Sequence, residues 1–169
     1  MDDIEIVDYD PGWPKEFEAE ALRLWDVLPK ELLLGIEHIG STAIPGLSAK
    51  PIIDIAIAVP SLEEARATIV EPLEALGYSY WRANPQRDRM FFVKGLPPSS
   101  PKRTHHVHVT ELSGEVWTRH LFRDYLRTHT DEAQRYADLK YDLARRYRLD
   151  REGYTAAKTE YITRIMAKL

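Results

Sequence analysis

The chain has 169 residues, with no cysteine, 23 basic and 27 acidic side chains, and a net charge of −4. That length suggests one domain with a sizeable core, and the lack of cysteine excludes a disulfide framework, a thiolate zinc site and a cysteine nucleophile. The acidic balance argues against a dedicated binder of nucleic acid or of a membrane surface, both of which need a basic excess.

The N-terminus, Met1-Asp2-Asp3-Ile4-Glu5, is acidic where a secretion signal is basic, and the longest apolar run, Ile55 to Val59, is far too short to span a bilayer. A soluble, cytoplasmic protein is expected. Residues 4–8 alternate and predict a short edge strand. After the Asp10-Pro11-Gly12 turn, Phe17, Ala21, Leu24, Trp25 and Leu28 recur at helical spacing, so an amphipathic helix runs from Pro14 to near Pro29. Gly35 to Ile39 reads as a strand, and the stretch from Gly40 to Pro51, with two glycines and two prolines, reads as loop.

Ile52 to Val59 is a nearly continuous β-branched run, the pattern of a strand covered on both faces. Ser61 and Glu64 form a capping box for a helix reaching Leu76, with Gly77 as its stop. Residues 78–81 and 90–94 predict paired strands, and residues 104–110 another. Three helical segments then follow, at about 115–128, 131–147 and 154–168. The chain is read as an α/β part to residue 112 with a helical part, 113–169, packed on it as one unit.

Three features carry chemistry. Asp54 interrupts the most apolar strand, where an unmatched carboxylate costs several kcal/mol, and a metal ion would remove that penalty most simply. His38-Ile39-Gly40-Ser41-Thr42 places a glycine and two hydroxyls after a strand, where backbone amides approach an anion, although plain turns share this composition. In Arg103-Thr104-His105-His106-Val107-His108-Val109, strand alternation puts His106 and His108 on one face, a recurrent ligand geometry. His120 and His129 have no partner by spacing and read as surface residues. Lys50 stands at the entrance to the Asp54 strand, and Arg87 and Arg89 flank the next hairpin. Tyr136/Lys140 and Tyr154/Lys158 repeat a four-residue spacing that predicts a solvated helix face; helices closing over the sheet would instead bring those lysines to phosphates.

His38 to Thr42, Pro45-Gly46-Leu47 and Ala49-Lys50-Pro51-Ile52-Ile53-Asp54 together resemble the GrpB-like family, a group assigned to the nucleotidyltransferase superfamily with some members fused to dephospho-CoA kinase. Tyr9-Asp10-Pro11, Trp13-Pro14, Phe17, the His106 to Val109 strand and the C-terminal Tyr/Lys helices extend the resemblance to the chain end. It implies an α/β (α+β) fold, a small mixed sheet flanked by helices. It also implies an NTP as substrate or ligand, with Gly40 and Ser41 on its phosphates and Asp54 at the reacting centre; Thr42, Lys50, Arg89 and Lys140 are further candidates for the phosphates, and Ser41 a second candidate at the reacting centre. Asp54 would hold a divalent ion, Mg²⁺ or Mn²⁺, for transfer to a small-molecule or protein acceptor. The second carboxylate of the superfamily pattern is Ala56 here, and the neighbouring strand offers His106 and His108 instead of an acid. Such a donor set suits Mn²⁺, Zn²⁺ or Fe²⁺ better than Mg²⁺. Two further expectations therefore stand beside the transferase: a nucleotide- or phosphometabolite-binding module without catalysis, and a single-metal Asp/His/His hydrolase.

Overall fold

A computed structural model describes residues 3–169; Met1 and Asp2, the start of the acidic N-terminus, lie outside the described residues. The order of elements is α1 (Trp13–Val27), β1 (Gly35–Ile39), β2 (Ile53–Ala58), α2 (Leu62–Thr68), α3 (Val70–Ala75), β3 (Tyr78–Tyr80), β4 (Arg89–Lys94), β5 (His105–Thr110), α4 (Glu115–Thr128), α5 (Thr130–Arg146) and α6 (Arg151–Met166). The strands form one mixed sheet in the order β1-β2-β5-β4-β3, in which only β2 and β5 run parallel. The isoleucine-rich β2 is interior to it, as its lack of a polar face predicts.

The pleat divides the sheet chemically. Ile53, Ile55 and Ile57 of β2 share a face with Val107, Val109, Met90 and Phe92, and they pack against Trp13, Leu24, Leu62, Ala65, Ile69 and Leu73 from α1, α2 and α3. Burying each large apolar side chain there contributes about 1.5–3 kcal/mol, so this layer is the main source of stability. The opposite face carries Asp54, Ala56, His106 and His108 and is roofed by the helical part. Ile44 and Leu47 from the loop before β2 join Phe122, Leu126, Tyr136, Tyr161 and Ile165 in the second core. Ala56 packs with Ile39 and Val116.

Three local expectations need correction. Residues 4–8 form no strand; their alternation yields a single bridge, in which Val7 and Ala49 exchange backbone hydrogen bonds of 2.9 and 3.0 Å. The helix after Ser61 is two helices that meet at Ile69, because Pro72 has no N–H with which to continue the ladder. The Ser61 hydroxyl does accept from the Glu64 amide at 3.3 Å, as a cap should. In α1, Trp25 faces solvent, while Glu20 is fully buried among Lys94, Tyr78 and Arg23 at 2.5–2.8 Å. No helix among the described residues is long and apolar enough to cross a membrane.

Candidate metal centre

The parallel pairing of β2 with β5 sets Asp54 beside His106 and Ala56 beside His108, so the carboxylate and both imidazoles project from one face within one strand spacing. His106 Nδ1 lies 3.2 Å and His108 Nε2 3.5 Å from the same oxygen, Asp54 Oδ1. A metal held about 2.1 Å from each donor spaces them by roughly 3–3.5 Å, so these two separations suit a shared divalent ion, and all three ligand atoms lie within 4.8 Å of one another. The ring of Phe91 on β4 stands 5.0 Å from each imidazole and holds both rings by packing. His106 Nε2 and His108 Nδ1 are buried without a hydrogen-bond partner.

Protonation suits the same role. Burial opposes the charge of Asp54, but hydrogen bonds from His106 and His108 outweigh it and hold the carboxyl well below its usual range. Burial lowers His106 to about 4, and lowers His108 too, against the attraction of Asp54. At neutral pH the set is one carboxylate and two neutral imidazoles, the forms a cation requires. The Asp54 side chain keeps 29% of its surface accessible, so it forms the floor of an open recess.

Gly40 is where the chain comes closest to that floor. Its φ is +75°, and a Cβ built there would lie 2.7 Å from Asp54 Oδ2, so only glycine fits. The short turn after it, Ser41 to Ala43, is held from α4, where the Arg127 fork donates to the Ala43 carbonyl at 2.8 and 3.0 Å. Arg123 donates to Glu37 at 2.6 Å and to the His38 carbonyl at 2.9 Å. Ser41 shares a hydrogen bond with the Tyr136 phenol, which lies within electrostatic reach of Asp54 and Arg119. The Thr42 hydroxyl is engaged elsewhere, 2.9 Å from His38 Nε2 and donating to the Ile52 carbonyl at 3.4 Å.

Cations line the rest of the recess. Lys50, Arg119 and Lys158 all lie within the electrostatic reach of Asp54. An i to i+2 hydrogen bond of 2.8 Å around Pro51 fixes the backbone at Lys50. Arg89 is buried beside His108, with its charge shared with Asp88 at 3.0 Å and Glu115 at 3.6 Å. Lys140 is only 1% exposed and donates to the Ser48 carbonyl. The solvated-face expectation for the Tyr/Lys pairs is therefore overturned: Tyr136, Lys140 and Tyr154 are all buried, because α5 and α6 turn those faces onto each other, α4 and the segments before β2. His129 is exposed and stacks on Tyr125, while His120 is half-buried, with Nδ1 2.5 Å from the Trp117 carbonyl.

Sequence reading passed over Arg119. The signal was available in the arginines at 119, 123 and 127, which recur every four residues and so share one face of α4.

The "GrpB protein" family model matches residues 3–168. A UPF0157 protein of Pseudomonas aeruginosa is 53% identical over 169 residues, covering 99% of this chain and 68% of that protein. A dephospho-CoA kinase of Mycolicibacterium paratuberculosis is 30% identical across 92% of this chain, a match confined to 43% of the kinase. Among solved structures, the conserved protein GrpB from Enterococcus faecalis superimposes with a TM-score of 0.78 at 33% identity, covering 96% of this chain and 99% of that one. The chain belongs to the GrpB protein family.

Proposed function

We propose that the protein is a single-metal enzyme of phosphate-ester chemistry, transferring a nucleotidyl or phosphoryl group from a nucleoside triphosphate to a hydroxyl acceptor. The observation that carries the reading is the convergence of Asp54, His106 and His108 on one point of an open recess, the imidazole nitrogens 3.2 and 3.5 Å from Asp54 Oδ1 and all three ligand atoms within 4.8 Å of one another, with Arg89 and Arg119 alongside. A divalent ion held there supplies Lewis acidity to a phosphoryl oxygen. The chain's own groups do the rest. Arg119 offsets charge on the phosphoryl oxygens, and Gly40, having no side chain, leaves the space in which the Asp54 carboxylate sits. Ser41 and Tyr136, which are hydrogen-bonded to each other, line the approach to the reacting centre. Water in place of the acceptor turns the same geometry into a hydrolase.

One ion is proposed rather than two, because the position next along the face is Ala56, sealed by Ile39 and Val116. The test is a thermal-shift panel of the four NTPs with and without Mn²⁺, Zn²⁺ or Mg²⁺, on wild type and Asp54→Asn, with elemental analysis of the purified protein. The expected result is stabilisation that needs nucleotide and metal together and is lost in the variant. Nucleotide binding unchanged by metal and by the substitution, with no pyrophosphate or phosphate released, would identify a binding module instead.

A further inference from the structure

Lys50, Lys140 and Lys158 come together close to Asp54, and the metal reading leaves them without a task. Lys50 Nζ lies 4.7 Å and Lys158 Nζ 5.5 Å from the centre of the Tyr154 ring, so the two ammonium groups share one aromatic platform. Lys140 lies deeper, its Nζ 4.8 Å from the centre of the Tyr136 ring. Lys158 acts repulsively on Lys50, both act on Lys140, and Arg151 and Arg103 add to the repulsion at Lys50. The carboxylate facing Lys50 and Lys158 is Asp54, and none acts on Lys140. In a chain of net charge −4, such a concentration of cations is a local choice rather than an overspill of basic composition.

A second observation points to a ligand. Tyr154 is 0% exposed, and its hydroxyl is buried with no hydrogen-bond partner. Asp54, Arg151 and the Tyr136 phenol all lie within electrostatic reach of that hydroxyl. A buried donor without a partner, beside two ammonium groups that face a single carboxylate, is an arrangement that a bound anion satisfies. Consistent with this, burial and mutual repulsion depress Lys50 to about 7 and Lys140 to about 6.

We propose that Lys50, Lys158 and the Tyr154 hydroxyl, underlain by Lys140, form a second anion subsite for the diphosphate end of a nucleoside triphosphate. The metal centre and Arg119 then address one phosphoryl group, and the lysine subsite the two beyond it. The site accordingly selects di- and triphosphates over monoesters. The orientation of the substrate rests on the metal reading, but the subsite itself does not.

Calorimetric titration of the full chain with pyrophosphate and with orthophosphate, in the absence of any divalent metal, tests the subsite alone. Wild type is expected to bind pyrophosphate at least about tenfold more tightly than orthophosphate, because one compact anion cannot meet both half-buried ammonium groups. Lys50→Met and Lys158→Met should each weaken pyrophosphate about tenfold or more while leaving Mn²⁺ uptake, followed by electron paramagnetic resonance, unchanged. Tyr154→Phe, which keeps the ring, should weaken it several-fold. Asp54→Asn should abolish Mn²⁺ uptake yet preserve or tighten pyrophosphate binding. Equal affinity for the two anions, or pyrophosphate binding indifferent to Lys50→Met and Lys158→Met, overturns the subsite. Loss of Mn²⁺ uptake in wild type with pyrophosphate selectivity intact would overturn the metal reading and leave the subsite standing.

Discussion

Gly40 is the residue on which the recess depends most directly. Its φ of 75° with ψ of −176° lies in a region that is essentially glycine's alone, and its missing side chain is the space that the Asp54 carboxylate fills. Gly40→Ala therefore carries two penalties, backbone strain and a 2.7 Å clash with Asp54 Oδ2. Together these should cost about 1–3 kcal/mol of stability and rotate the carboxylate away from His106 and His108. Urea unfolding and Mn²⁺ titration of the variant check both parts. A variant as stable as wild type with undiminished metal uptake would show that Gly40 serves some purpose other than this approach.

At the scale of elements, β2 sets how many metal ions the sheet can hold. Ala56 points the same way as Asp54 but is 0% exposed beneath Val116 of α4. Ala56→Asp should not create a second metal position; it buries an unpaired carboxylate and should destabilise by about 3 kcal/mol or more. Full stability together with two bound ions per chain would contradict the single-ion reading. The same strand explains what the sequence made legible. Asp54 is conspicuous as the one charge in a β-branched run, and the His-x-His spacing fixes a shared face once a strand is accepted. Helical spacing is less informative, because it says which residues share a face but not what covers it. The buried face of α6 carries Tyr154, Lys158, Tyr161 and Ile165, with Lys158 only half-buried, a mixture whose periodicity alone reads as ordinary surface. The break at Ile69 was likewise written in Pro72, two turns into an otherwise good helical pattern. Residues 4–8 alternate as a strand would, yet pair through Val7 alone, since strand pattern does not supply a neighbour to pair with.

Across the whole molecule, the lysine cluster should leave a signature in stability against pH. Lys140 is depressed from 10.5 to about 6 and Lys50 to about 7, so between those values and 10.5 the unfolded chain binds protons that the folded chain does not. Stability then rises with pH: the penalty of charging these amines is fully present below about 6 and disappears as pH climbs towards 10.5. The buried phenols of Tyr78, Tyr136 and Tyr154 are raised above their usual 10, so their contribution is lost only at still higher pH. The melting temperature should therefore increase from pH 6.5 to 9.5 at fixed ionic strength. Lys140→Met removes one of the three depressed amines and isolates its share from the general charge of the surface. The variant should be more stable than wild type at pH 6.5, and the gap should narrow steadily towards pH 9.5. Melting curves of wild type and variant that run parallel across this interval would mean that Lys140 is charged in the folded protein throughout. A saturating polyphosphate should flatten the wild-type slope, because an anion bound against the cluster lets the folded state keep the protons that it otherwise sheds.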